Sequence, residues 1–165
     1  MVPQRSITIH RVSGNWRAGF TLIELILVMA IMILLSGSGI VAAVRFRERQ
    51  ALQNDAREVV TLLRAYQTKA RGVELPPGCN GLNYYSLALS ATQAAITAVC
   101  ASGNVAVKTI EVLKDSTFSG ATTVRFQVNT GTVVGGNINV DLTRGTQEMR
   151  ISISESGGVG KPEEI

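Results

Sequence analysis

Between residues 20 and 44 of this 165-residue chain the only charged side chain is Glu24. A carboxylate inside an apolar helix costs a few kcal/mol, so Glu24 is by default a functional residue in need of a partner. Two thiols are the other reactive groups. Cys79 and Cys100 have the chemistry to close a disulfide, to hold a metal or to act as a redox pair. Two isolated thiols without histidine make a poor zinc site, and no Cys-x-x-Cys occurs. An even cysteine count in an oxidising compartment favours a disulfide, closing a loop of about 20 residues and worth roughly 3 kcal/mol. No metal and no cofactor is expected.

Other catalytic patterns are missing from the sequence. There is no Gly-x-Ser-x-Gly, and no glycine-rich phosphate loop opens a helix. Gly157-Gly158-Val159-Gly160 reads as part of a flexible tail, 157–165, that frays, and not as a nucleotide fingerprint. The net charge of +4 suggests a polyanion partner only until its distribution is considered. Residues 1–19 carry Arg5, Arg11 and Arg17 and no acid, whereas residues 72–165 carry six basic and eight acidic side chains. The positive charge belongs to the N-terminal segment and the helix.

These groups must be positioned by a helix and a run of strands. Residues 20–44 are long enough to span a bilayer core, which takes about 20 apolar residues. Arg45, Arg47 and Arg49 then mark an exit toward lipid phosphates, a reading preferred to contact with nucleic acid. The helical pattern resumes with Leu52, Ala56, Val59, Leu63, Tyr66 and Ala70, at spacings of three and four. Arg47, Gln50, Asp55, Glu58, Arg64 and Lys69 fall largely outside that stripe. No proline interrupts residues 20–71, and Gly37 and Gly39 are weak points or close-packing points. Gly72, Pro76 and Pro77 end the helix. Strands are expected over 84–90, 94–101, 105–113, 122–128, 131–134, 137–142 and 147–154, with turns at Asn129-Thr130-Gly131 and Thr143-Arg144-Gly145-Thr146. The fold class is α+β: a long N-terminal helix, transmembrane in its first half, packed by its amphipathic half (45–71) on an antiparallel β-sheet or β-sandwich head (72–165).

The string Gly19-Phe20-Thr21-Leu22-Ile23-Glu24-Leu25 resembles the processing site of type IV prepilins and type II secretion pseudopilins. The resemblance implies a cleaved leader, 1–19, with prepilin peptidase cutting between Gly19 and Phe20 and N-methylating Phe20. It implies that Glu24, the fifth mature residue, pairs with the new amine of a neighbouring subunit. His10 would leave with the leader, so the mature chain would lack a histidine general base or metal ligand. The 19-residue leader is longer than many in that family, and Ala18 stands where a basic residue often precedes the glycine. An ordinary signal peptide fits less well. Its apolar region is shorter, and the nearest small-residue cluster here is Ser36-Gly37-Ser38-Gly39. The β-rich head, through Arg125-Phe126, the Gly131 turn and the strand from Met149 to Ser154, is most similar to the GspH/FimT type of minor pseudopilin or minor pilin.

The resemblance implies a structural subunit, a minor one and not an enzyme, of a type II secretion pseudopilus or a type IV pilus. Its expected partners are other pilins or pseudopilins, the peptidase, the inner-membrane assembly platform and the membrane. Its expected location is the bacterial inner membrane, single-pass with the head in the periplasm, and then a filament. The alternative is a DNA-binding minor pilin of a competence pilus, with Arg125, Arg144 and Arg150 on adjacent strands as its contacts. The acidic balance of the head argues against nucleic acid. A free-standing anchored protein leaves Glu24 without a partner.

Overall fold

A computed structural model describes residues 19–165 and, for 36–40, the backbone alone. The expected leader, with Arg5, His10, Arg11 and Arg17, lies outside the described residues except for Gly19. Among the described residues one helix, α1 (Leu22–Arg71), precedes eight strands. These are β1 (Leu82–Ser90), β2 (Gln93–Cys100), β3 (Gly103–Glu111), β4 (Thr117–Phe118), β5 (Thr122–Gln127), β6 (Ile138–Arg144), β7 (Gln147–Ile153) and β8 (Glu163–Glu164). The described residues divide into two units, one ending at Val41 and one running from Ala42 to Ile165. The amphipathic part of α1 therefore belongs to the same unit as the head.

Thr21 caps the helix: its backbone carbonyl accepts from the amides of Glu24 and Leu25 at 3.1 and 3.2 Å. Its hydroxyl accepts from the Glu24 amide at 3.3 Å. Thr-x-x-Glu is the capping-box pattern, and an acid in the first turn also meets the positive end of the helix dipole. The helix ends after Arg71 through the Gly72 amide to Thr68 and the Glu74 amide to Lys69, at 2.9 and 3.0 Å. The left-handed residue of this cap is Val73, with φ 52°, and not the glycine beside it. A β-branched residue there stores about 1–2 kcal/mol of backbone strain. Tyr85 holds the following linker by donating its hydroxyl to the Glu74 carbonyl at 2.5 Å.

Within residues 42–165 two four-stranded antiparallel sheets, ordered β3-β2-β1-β5 and β4-β6-β7-β8, share one hydrophobic core with α1. The helix contributes Leu52, Ala56, Val59, Leu63, Tyr66 and Ala70, each 9% exposed or less. The sheets contribute Leu87, Ile96, Phe126, Leu142 and Ile151, each at most 1% exposed. Alternation along β5 and β7 sends Val124, Phe126, Met149, Ile151 and Ile153 inward, as the period of two requires.

Among the described residues no helix is long and apolar enough to cross a membrane. The expected span, 20–44, includes 36–40, whose side chains are outside the described set, and the apolar run before Ser36 falls short of about 20 residues. Three expectations need correction. Residues 131–134 form no strand but a single bridge, Phe126 to Val133. Asn129 and Gly131 are both left-handed, and they turn the chain too tightly for a ladder. The tail 157–165 is not frayed: β8 pairs with β7, and Val159 bridges to Ile153. Asp55, expected outside the apolar stripe, is 6% exposed. Its carboxylate accepts from the Ser116 and Asp115 amides at 3.2 and 3.4 Å, satisfying the loop between β3 and β4.

Cys79 and Cys100 are joined in a disulfide, with Cα atoms 5.6 Å apart and 21 residues between them in sequence number. Both are 5% exposed, and the bond ties the linker after α1 to the end of β2. Replacing both with alanine should lower the stability of the folded unit by about 3 kcal/mol, read as a shift in the denaturation midpoint. Non-reducing peptide mapping should recover the two cysteine peptides linked. Free thiols in protein from an oxidising compartment would contradict the bond.

Candidate functional site

The residues singled out by sequence fall in three separate places. At the N-terminus, Gly19 and Phe20 precede α1, and Phe20 is 80% exposed. Glu24 follows one turn later in the first turn of the helix. Glu24 is exposed, and its backbone amide donates to Thr21. Successive residues project about 100° apart around a helix. Leu22, Ile23, Leu25, Ile26 and Leu27 are 52–78% exposed, so the apolar surface here runs round every face and not along one stripe. Such a helix is built to be surrounded.

The second place is the disulfide, whose sulfurs are buried in the core and carry structure. The third comprises the three arginines proposed for nucleic acid, and they do not converge. Arg125 stands on β5 of one sheet, over the Tyr84 ring at 5.9 Å. Arg144 and Arg150 stand on β6 and β7 of the other sheet. Arg150 donates to both carboxylate oxygens of Asp141, at 2.8 and 2.9 Å. Arg144 lies 3.2 Å from Asp115. Two of the three charges are thus already answered by carboxylates. The Arg150 hydrogen bonds hold the Asp141 carboxyl below the usual carboxylate range.

Sequence reasoning passed over a groove of about 550 Å³ between α1 and the C-terminal tail, lined in part by Arg57, Arg64 and Lys161. Its signal was present: Arg57, Arg64 and Arg71 recur every seven residues, which places them along one flank of a helix. The capping-box reading of Thr21 and Glu24 was also legible and was missed. Among the described residues no three His, Cys, Asp or Glu side chains come together as a metal set. Comparison with family models, curated proteins and solved structures finds no match to this chain.

The Asp141–Arg150 pair gives a pH test. A carboxyl whose folded pKa is depressed stabilises above its unfolded value, about 3.9. That stability disappears as pH falls through the folded value. Asp141→Asn should therefore have a lower denaturation midpoint than the parent chain at pH 6, and the gap should close as pH falls below about 4. A gap that persists unchanged at pH 2 would assign the loss to packing and not to charge.

Proposed function

We propose that this chain is a structural subunit, a minor one, of a type II secretion pseudopilus or a type IV pilus. Prepilin peptidase removes residues 1–19 and methylates Phe20, and the mature chain is held in the bacterial inner membrane until it is drawn into a filament. The observation that carries this reading is the first part of α1. Between Phe20 and Leu35 more than ten large apolar side chains are 43–80% exposed, with Glu24 at their head. Burying a side chain of this kind stabilises by about 1.5–3 kcal/mol. Leaving ten in water forgoes about 15 kcal/mol or more, as much as the whole stability of an ordinary domain. Lipid, or the matching helices of neighbouring subunits, supplies that cover.

Glu24 then has two duties. Its capping position makes a first-turn acid favourable to the helix. Its negative charge, costly in lipid when alone, is offset by the amine released when the chain is cut before Phe20. A neighbouring subunit's amine answers it without unwinding either helix, and the pairing fixes the axial stagger of one subunit against the next. On this reading the chain works through assembly. The head remains on the periplasmic side, where the Cys79–Cys100 bond is chemically at home. The competence reading draws less support, because Arg144 and Arg150 are already paired with Asp115 and Asp141.

Intact-mass measurement of protein from cells carrying the peptidase should give a chain beginning at Phe20 with one added methyl. A mature terminus beyond Ser36 would instead indicate an ordinary signal peptide. Glu24→Gln separates the two duties, since glutamine also serves in a capping box but carries no charge. The variant should be cut and retained in the membrane, while its recovery with sheared filaments should fall about tenfold. Normal recovery of Glu24→Gln would remove the charge pair from the account.

A further inference from the structure

The groove between α1 and the tail has a composition that fits neither a plain structural seam nor a small-molecule pocket. Its floor is apolar: Val60 and Met149 are 7% and 4% exposed, and Pro162 is half-buried beside them. Its rim is cationic. Arg57 and Arg64, seven residues apart, project from α1, and Lys161 faces them from the tail. All three are exposed, and among the described residues none of them is ion-paired. Arg64 spends one donor on the Val159 carbonyl, at 3.0 Å, which holds the tail without neutralising the charge.

One turn-pair earlier on the same helix, Arg49 meets the same situation and finds an answer: it forms an ion pair with Glu164 of the tail. Glu163, Glu164 and Ile165 make an acidic segment closed by an apolar residue. The chain's own tail thus answers Arg49 with acid and leaves Arg57 and Arg64 unanswered. We propose that this groove docks an acidic, partly apolar peptide segment of a partner protein, its carboxylates on Arg57, Arg64 and Lys161 and its apolar side chains over Val60 and Met149. Charge complementarity selects the occupant. A single-stranded nucleic acid would call for aromatic stacking platforms as well as cations, and no aromatic side chain lines the groove. A volume of about 550 Å³ holds the side chains of a short segment. The inference stands apart from the filament reading, which rests on none of these residues.

The test uses the full chain in detergent micelles and fluorescence anisotropy with three labelled probes. These are a decapeptide of alternating Glu and Leu, the same peptide with Gln for Glu, and a single-stranded oligothymidylate. The parent chain should bind the Glu peptide at least tenfold more tightly than the Gln peptide, with affinity falling as salt rises. Arg57→Glu combined with Arg64→Glu should weaken binding of the Glu peptide about tenfold or more, and Lys161→Glu alone should weaken it less. Lys108→Glu, at an exposed lysine on β3, should leave it unchanged. Near-UV circular dichroism separates loss of binding from loss of fold, and the lysine variant, on the tail alone, keeps the test open should the double variant misfold. Equal binding of the Glu and Gln peptides, no binding of either, unchanged affinity in the reversed variants, or tighter binding of oligothymidylate would each overturn the proposal.

Discussion

Six side chains on one face of α1, Leu52, Ala56, Val59, Leu63, Tyr66 and Ala70, hold the folded unit together. They lie at helical spacing, and together with Val60 they are the helical share of a core that both sheets enter. The two alanines leave room for close approach, while Leu63 and Tyr66 fill depth, the latter edge-on to Tyr85 at 5.5 Å between ring centroids. Around this stripe the helix fastens loops by polar contacts. Asp55 takes the amides of the β3–β4 loop. Gln67 donates to the carbonyls of Gly131 and Gly157, at 2.9 and 2.5 Å. Gly157 is left-handed, with φ 89°, and a Cβ there would strike the Gln67 amide and the Gly131 carbonyl. The glycine is thus a condition of the clamp.

The same helix has opposite needs toward its N-terminus. In residues 42–71 one face is covered by the chain's own strands. In residues 20–35 the apolar side chains run all round and are exposed. The proposed function follows from that difference. A helix part that cannot satisfy itself must be satisfied from outside, and a single carboxylate within it must find a cation there. The head is then free to serve recognition, through surfaces such as the cationic groove beside the tail.

Much of this was legible in the sequence where periodicity is strong. The stripe from Leu52 to Ala70 was read correctly, as were the alternating residues of β5 and β7, because burial of one face leaves a repeating pattern. β4 and β8 were not foreseen, since two residues carry no period, and β8 is charged on both positions. The tail was read from its glycines as loose, yet its order comes from backbone pairing to β7 and from Arg49, Arg64 and Gln67, partners 90 to 115 residues away in sequence. Asp55 was misplaced because a polar residue at the edge of a stripe normally faces water. Here the unsatisfied amides of a distant loop draw it inward. The three head arginines were grouped by their presumed strands. Two of them had carboxylates on neighbouring strands or loops, which one sequence does not reveal.

The central claim is that the first part of α1 takes its cover from outside the chain. Hydrogen exchange of the full chain in lipid nanodiscs measures this directly, amide by amide. Amides of residues 22–35 should exchange as slowly as those between Leu52 and Ala70, although the large apolar side chains among them are exposed in the chain by itself. Exchange of residues 22–35 at the rate of a solvated, fraying helix, with 52–70 still protected, would contradict the account.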